Sequence, residues 1–186
     1  MESVIREYAN KIGELCQSLD VGGVDRAVAL LKKAYDENRR IFVAGNGGSA
    51  GTANHFSCDF SKNAVKHSNR RPKVYTLSSN TEYITAIGND ITFEGIFSEQ
   101  LKNLFEEGDV LIAVSASGNS PDIVSAVEYV KEHNGSVIGL SGFQGGKLGK
   151  MSDVSINVPS DSYELSEDIH SVILHSIVCA FKAMNL

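Results

Sequence analysis

The chain has 186 residues, of which 42% are hydrophobic and 22% charged, with a formal net charge of −6 and a sequence pI near 5.3. We predict a single domain over residues 1–186, with a helical pair at 1–37 and an α/β core at 38–186. The acidic balance argues against a protein that binds nucleic acid through a general basic surface. The basic cluster at 66–73 is short and contains a proline, and we interpret it as a solvated loop, the alternative being a patch that steers a phosphorylated ligand.

The cysteines and the first residues exclude several further classes. Cys16, Cys58 and Cys179 have no paired spacing, so neither a disulfide framework nor a zinc-finger pattern is available. The first residues include Glu2, Arg6 and other charges in an amphipathic pattern, so no signal peptide or membrane span is visible. We therefore expect a cytoplasmic protein with no membrane partner and no nucleic-acid partner.

The first two segments are predicted to be amphipathic helices. Apolar residues recur at spacings of three and four over residues 4–19, and this helix is expected to end near Gly22 and Gly23. A second helix follows, with the same spacing of apolar residues over 24–34. These helices are not needed to wind a sheet, and such an appendage often packs on another subunit.

From Arg40 onward, short β-branched runs alternate with helical segments, which indicates a parallel sheet covered on both faces. The predicted strands are 41–44, 74–77, 110–115, 136–140 and 154–158. The predicted helices are 49–62, 81–88, 94–105, 120–133, 145–150 and 162–184. We therefore predict an α/β fold, with a doubly wound five-stranded parallel sheet, helices on both faces and two N-terminal helices.

The segments that follow the strands are the places to look for a site. Ligands of doubly wound folds bind at the carboxyl ends of the strands. Three segments at these ends are rich in hydroxyl groups or glycine: residues 45–49, 78–81 and 115–121. No large basic cluster accompanies them. They suit a phosphate that is bound by hydroxyls and backbone N–H groups.

Residues 45–50 form a glycine-rich turn between a predicted strand and a predicted helix. Gly45, Gly47 and Gly48 lack a Cβ and can bring backbone N–H groups close to a ligand. Ser49 or its neighbours would stand at a helix start, where the dipole favours an anion. Neither common nucleotide fingerprint fits, because no Lys-Ser/Thr pair follows the loop and no acidic residue ends the next strand. Taken alone, the turn is equally compatible with an anion site and with a plain connection.

The second loop, residues 115–121, is more specific. Ser120 followed by Pro121 predicts a helix start, with a serine N-cap and a proline at the first helical position. Ser115 and Ser117 would bring two more hydroxyls to this N-terminus. An ordinary turn explains Ser120 and Pro121 and leaves the other hydroxyls without a role, so we predict anion binding here.

Taken in order, four features resemble the sugar isomerase (SIS) domain family. They are Gly45-Asn46-Gly47-Gly48-Ser49-Ala50, His55, Asn89-Asp90, and Ser115-Ala116-Ser117-Gly118-Asn119-Ser120-Pro121. Within that family the chain most resembles the phosphoheptose isomerases, which interconvert sedoheptulose 7-phosphate and an aldoheptose 7-phosphate. The resemblance covers essentially the whole chain and implies a flavodoxin-like SIS fold, with one SIS domain over 1–186.

The resemblance implies a set of site residues. The implied substrate-binding residues are Asn46, Gly47, Gly48, Ser49, Asn89, Asp90, Ser115, Ala116, Ser117, Ser120 and Glu167. The implied metal ligands are His55, Asp59, Glu167 and His175, of which Asp59 and His175 also carry the catalysis. The resemblance further implies that these side chains come from different subunits of a tetramer. Glu164 and Asp168 are close enough in sequence to take the place of Glu167.

Two of the four metal-centre positions depart from the family pattern. The family has a glutamate where this chain has Asp59, and a glutamine where it has Glu167. Residues four apart share a helix face, so His55 and Asp59 can still reach a common point. Two imidazoles and two carboxylates are plausible zinc ligands. Glu167 adds a negative charge where a phosphosugar would bind, which a divalent cation would offset.

The resemblance implies an aldose–ketose isomerase that converts D-sedoheptulose 7-phosphate to D-glycero-D-manno-heptose 7-phosphate through an enediol. It also implies a divalent metal cofactor, with zinc expected, and a homotetramer with its sites at subunit interfaces. One alternative is a non-catalytic SIS protein that binds a phosphosugar or serves as an adaptor, like the replication-initiator-associating factor. Another is an isomerase that acts on a different phosphosugar.

Overall fold

The computed structural model describes all residues, 1–186, and the chain begins with two helices. Helix α1 covers Glu2–Gln17 and helix α2 covers Val21–Asp36. The prediction that the first helix ends near Gly22 and Gly23 is wrong, because both glycines lie in the first turn of α2. Asp20 sets this boundary, since its carboxylate accepts a hydrogen bond from the backbone N–H of Gly23 at 2.8 Å and so caps α2.

Five strands form a parallel sheet. In chain order they are β1 Arg40–Gly45, β2 Lys73–Thr76, β3 Val110–Ser115, β4 Ser136–Ser141 and β5 Val154–Asn157. In the sheet they lie in the order β2-β1-β3-β4-β5, and every neighbouring pair is parallel. All residues of β3 are buried, as expected of a strand covered on both faces, whereas the edge strand β2 alternates between exposed and half-buried residues. The predicted doubly wound α/β fold is confirmed.

The remaining helices connect or follow the strands. They are α3 Gly47–Asn63, α4 Thr81–Asp90, α5 Ser98–Leu104, α6 Pro121–Glu132, α7 Gly146–Met151 and α8 Tyr163–Ala183. The single helix predicted over 94–105 is wrong, because the chain there forms a 3₁₀ turn at Phe93–Gly95 and then the shorter α5. None of the eight α-helices combines the length and the apolar character that crossing a membrane requires.

The sheet separates two hydrophobic layers. One layer contains buried residues of α2, α3 and α8 packed on one face, with Phe60 and Phe181 in edge-to-face contact at 4.7 Å between ring centroids. The other contains buried residues of α4 to α7 packed on the opposite face, including Leu101 and Ile123. Both layers exclude water from the strands, so the polar loops at the strand ends are held on a rigid support.

The direction of winding reverses between β1 and β3. From β1 the chain passes to β2 on one side and then returns to β3 on the other, so β1 and β3 are neighbours whose following loops diverge. Gly45 pairs with Val114 in this register, which places the two loops predicted to bind an anion next to each other. Such a switch point is the usual ligand site of doubly wound folds.

Candidate functional site

A pocket lined mainly by polar groups lies at the switch point, with a volume of about 120 Å³. Ser49, the third residue of α3, and Ser115, the last residue of β3, are buried there. The hydroxyls of Ser115 and Ser120 lie 3.1 Å apart and hydrogen-bond each other. The lining residues are Asn46, Ser49, Val114, Ser115, Ala116, Ser117, Ser120, Tyr163 and Glu167. The structure therefore brings most of the substrate-binding residues predicted in the two loops to one pocket, whereas Gly47 and Gly48 do not line it.

The two helices that start at this pocket are not capped by their own side chains. Asn46 precedes α3 and Ser120 precedes α6, and both residue types usually cap helices, yet neither side chain bonds a first-turn N–H group. By contrast, Asp20, Asn80 and Ser162 cap α2, α4 and α8 in the usual way. The first-turn N–H groups of α3 therefore lack a side-chain acceptor, and the positive ends of both helix dipoles favour an anion at the pocket.

Asp122 joins the two loops, and the sequence pattern gave no indication of this role. Its carboxylate accepts a hydrogen bond from Nδ2 of Asn46 at 2.8 Å, although the two residues are 76 positions apart. Asp122 is buried, and burial raises the pKa of its carboxyl, while the Asn46 hydrogen bond opposes that rise. An acidic residue in the first turn of a helix is ordinarily interpreted as a partner of the helix dipole, which is why no signal in the sequence marks this contact.

Glu167 lies over the start of α3. A Cβ added to Gly48 would collide with its carboxylate, so glycine at this position permits the close approach. Burial raises the pKa of the Glu167 carboxyl, and the charges of Glu164 and Asp168 raise it further. Those two neighbours are engaged elsewhere, Glu164 with the Ser162 hydroxyl at 2.7 Å and Asp168 with the Tyr8 hydroxyl at 2.7 Å.

Helices α3 and α8 lie side by side and run in the same direction, so that residues four apart on each meet in turn. Beyond Gly48 and Glu167, the hydroxyls of Thr52 and Ser171 hydrogen-bond at 3.2 Å. One turn further along, the side chains of His55 and Asp59 meet His175. The hydroxyl pocket and this second group are therefore connected by the same pair of helices.

His55, Asp59 and His175 form a group that can hold a metal. Oδ2 of Asp59 lies 3.5 Å from Nε2 of His55 and 3.6 Å from Nε2 of His175, and the three ligand atoms all lie within 4.8 Å of one another. Zinc bonds of 2.0–2.2 Å in a tetrahedral arrangement separate neighbouring ligand atoms by about 3.4 Å. The donor set and spacing therefore fit zinc, with three protein ligands and a fourth position left for another group.

The makeup of this group bears on one expectation. Side chains of a single chain already meet here, whereas the resemblance implies that the metal and acid/base side chains come from different subunits, and that implication stays a prediction. Glu167 is not brought into the group, since its carboxylate lies against Gly48 two helical turns away from His175. Its assignment as a metal ligand stays a prediction, while its place in the hydroxyl pocket agrees with a substrate-binding role.

Asn89 and Asp90 are also not brought into the pocket. Both are exposed in the last turn of α4, where Nδ2 of Asn89 donates to Oδ1 of Asp90 at 2.7 Å. Neither residue lines the pocket at the switch point. Their contact with a sugar stays a prediction.

Comparison with known proteins identifies the family to which the chain belongs. The model of the SIS domain matches residues 7–142, which is most of the chain. The chain belongs to the SIS domain family. The polar loops at the switch point and the α3 helix up to Asp59 lie inside the matched region, while Glu167 and His175 on α8 lie beyond it.

Relatives within the SIS family are phosphoheptose isomerases. The one from Campylobacter jejuni is 37% identical over 84% of this chain and 83% of its own length. The one from Aneurinibacillus thermoaerophilus is 39% identical over 80% of this chain and 74% of its own. The solved structure of phosphoheptose isomerase from Neisseria gonorrhoeae superposes with a TM-score of 0.89 at 30% identity, covering 98% of both chains. The resemblance predicted from the sequence is confirmed.

Proposed function

We propose that this SIS protein is a phosphoheptose isomerase, which converts D-sedoheptulose 7-phosphate to D-glycero-D-manno-heptose 7-phosphate. The observation that carries the proposal is that α3 and α8 connect a hydroxyl-lined pocket at two uncapped helix starts with the His55, Asp59 and His175 group. The hydroxyl-lined pocket suits a phosphate, and the group of His55, Asp59 and His175 suits proton transfer. The activity of the relatives at 37% and 39% identity supports the same reaction.

The phosphate of the sugar is held at the switch point. The hydroxyls of Ser115, Ser117 and Ser120 donate to its oxygens, and so do the free N–H groups at the start of α3. Hydroxyls and backbone groups bind the anion there without a lysine or arginine, consistent with the lining of the pocket. A phosphate fixed in this way sets the direction of the carbon chain, which orients the reacting carbons for the chemistry.

The isomerisation transfers protons within the sugar. A base removes a proton from C1 of the ketose while O2 gains a proton, which forms an enediol; O1 then loses its proton and C2 gains one, which leaves the aldehyde at C1. Asp59 and His175 share these transfers, since their side chains lie 3.6 Å apart and face the same space. No electrons leave the sugar, so no redox partner is required.

His55, Asp59 and His175 would hold a divalent metal, and we propose zinc; Glu167 could complete the ligand set only by leaving its place against Gly48. When bound there, a divalent cation would supply Lewis-acid polarisation of the substrate carbonyl, which would lower the cost of forming the enediol. The imidazole of His55 is oriented toward Asp59 by their spacing of four residues on α3, and Nδ2 of Asn63 donates to Oδ1 of Asp59 at 3.3 Å. These contacts hold the Asp59 carboxylate so that Oδ2 faces both imidazoles.

The direct test is to incubate the purified protein with sedoheptulose 7-phosphate, follow the aldoheptose by NMR and measure bound zinc. We expect turnover and about one zinc per chain, with His175→Ala losing both. His133→Ala is the matched control, because His133 stacks on Tyr129 at 4.0 Å at the end of α6, away from the site. Full activity in the His175→Ala protein would remove His175 from the mechanism. Tight binding of the sugar phosphate without turnover would instead favour the non-catalytic SIS protein.

We also propose that the protein acts in the cytoplasm, as one SIS domain over 1–186, and as a homotetramer. The tetramer is supported by α1, none of whose residues is buried and whose Val4 and Ile5 are each 66% exposed. It is also supported by the metal group, which lies open at the surface of one chain, with 59% of the His55 side chain and 48% of the His175 side chain exposed. A neighbouring subunit that covers this group would exclude water from the enediol.

A further inference from the structure

We propose that Asp122 is a positioning residue for the Asn46 carboxamide, and that it thereby sets how tightly the pocket binds the phosphosugar. The inference rests on the proposed function. Asn46 is one of the predicted substrate-binding residues, whereas Asp122 lines no part of the pocket. The geometry points to Asp122 because its carboxylate is the only hydrogen-bond partner of the Asn46 side chain, at 2.8 Å.

The contact replaces a role that Asn46 would otherwise have. An asparagine before a helix normally turns its side-chain oxygen toward the N–H groups of the first turn. Asn46 does not, since its side chain donates to Asp122 on another helix. The carboxylate therefore diverts a natural capping residue, which leaves the first-turn N–H groups of α3 available for a ligand.

The contact also fixes which end of the carboxamide faces Asp122. A carboxylate only accepts hydrogen bonds, so the Asn46 side chain must present Nδ2 to it. Oδ1 and the second Nδ2 hydrogen make no bond with the protein and are left for the ligand. Without the carboxylate, the carboxamide could rotate, and Oδ1 could cap α3 in competition with the phosphate.

The position of the Asp122 carboxylate allows it to hold the Asn46 side chain in place. Asp122 is 2% exposed and sits in the first turn of α6, directly after Ser120 and Pro121. Its bond to Asn46 ties the start of α6 to the start of α3, so the two helix ends that flank the pocket keep a fixed spacing. If the Asn46 donor moved away, the buried Asp122 carboxylate would lose a hydrogen bond. The free-energy cost of that loss keeps the two side chains paired.

The test compares Asp122→Ala, Asp122→Asn, Asn46→Ala and the double variant Asp122→Ala/Asn46→Ala, using kcat and KM for sedoheptulose 7-phosphate. We expect Asp122→Ala to lower kcat/KM by about tenfold to a hundredfold, mainly through KM, because a bond to a charged group is lost. Asp122→Asn should recover most of that loss, since its carboxamide oxygen still accepts from Asn46. In the Asn46→Ala background, Asp122→Ala should cause no further loss.

Two kinetic results would overturn the inference. One is a double variant whose loss is the product of the single losses, since Asp122 would then act without Asn46. The other is an Asp122→Asn protein as impaired as Asp122→Ala, since an acceptor would then not be what matters. A crystal structure of the Asp122→Ala protein separates this question from the proposed function. If the Asn46 carboxamide keeps its place there, the inference fails even if the isomerase activity is established, and if it turns to cap α3 the inference stands even where no turnover is found.

Discussion

Gly48 is where a single methyl group would disturb the site. A Cβ at this position would collide with the Glu167 carboxylate, which is the flexible end of its side chain and can move aside at little cost in stability. We expect Gly48→Ala to lower kcat/KM by about tenfold to a hundredfold with a nearly unchanged melting temperature, because a displaced carboxylate disturbs substrate placement.

Gly51 provides the matched control on the same helix. A Cβ there would meet no atom within 4 Å, and Gly51 is exposed. Gly51→Ala should leave activity intact and raise the free energy of unfolding by about 0.5–1 kcal/mol, since alanine favours a helix interior. Enzyme assays and chemical denaturation of both variants check this. Equal activity in the two proteins would show that the position of the Glu167 carboxylate does not affect catalysis.

His170 makes the stability of the fold depend on pH. It is fully buried, neither ring nitrogen has a hydrogen-bond partner, and burial lowers its pKa to about 4, outweighing the backbone of Ser141, which favours the charged form. Above pH 6.5 the imidazole is neutral in both the folded and the unfolded chain. As the pH falls from 6.5 to 4, the unfolded chain takes up a proton that the folded chain does not, so stability is lost by up to about 1.4 kcal/mol per pH unit.

A His170→Leu variant isolates this contribution. It removes the titrating group and both of its unpartnered ring nitrogens, so its stability should fall less steeply than that of the natural protein between pH 6.5 and pH 4. Denaturant titrations of both proteins at pH 7 and pH 5 measure the difference. Parallel losses of stability in the two proteins would assign the acid sensitivity to other groups.

At the scale of elements, two serines at helix starts have opposite roles. Ser162 caps α8 by accepting from the backbone N–H of Leu165 at 3.2 Å, whereas Ser120 bonds Ser115 and caps nothing. Ser162→Ala should therefore lower the free energy of unfolding by about 1 kcal/mol. Ser120→Ala should weaken substrate binding and leave stability almost unchanged. Thermal unfolding and KM, measured together, check the pair, and a larger loss of stability from Ser120→Ala would contradict it.

Elements with strong local signals were predictable from the sequence. The continuous apolar run of β3 and the spacing of His55 and Asp59 each follow from a few neighbouring residues. The boundary of α1 was not, because Gly22 and Gly23 suggest a helix end wherever they stand, and only the Asp20 cap shows that they start the next helix. Local sequence patterns predict where a helix or a strand lies, but they do not predict which side chain will accept a hydrogen bond from a given backbone N–H group.

The site was predictable to the same extent. The hydroxyl loops line one pocket at the carboxyl ends of the strands, as expected, and His175, placed by the resemblance, lies beside His55 and Asp59. The pairing of Asn46 with Asp122 depends on the spacing of two helices started by different strands, which no short segment determines. The position of Glu167 over Gly48, rather than beside His175, likewise depends on the relative shift of α3 and α8.

At the scale of the whole molecule, the exposed face of α1 predicts assembly. Val4 and Ile5 are each 66% exposed, and burying them between subunits would stabilise a tetramer. We expect light scattering to give the mass of four chains, and Val4→Glu/Ile5→Glu to give smaller species. Val21→Glu, at an equally exposed valine at the start of α2, is the matched control and should keep the tetramer. A natural protein that is monomeric at micromolar concentration would contradict the proposal.

Because α3 carries both ends of the proposed site, it would also set the length of sugar that can react. Ser49 at the proposed phosphate end and His55 at the proposed chemical end are six residues apart on one continuous helix, which fixes their separation along the axis at about 9 Å. A sugar whose phosphate is anchored at the helix start can present its carbonyl to His55 only if several carbons separate the phosphate from the carbonyl. Triose and tetrose phosphates should therefore bind as inhibitors without being isomerised, and selectivity for long sugars requires no contact with the middle of the chain.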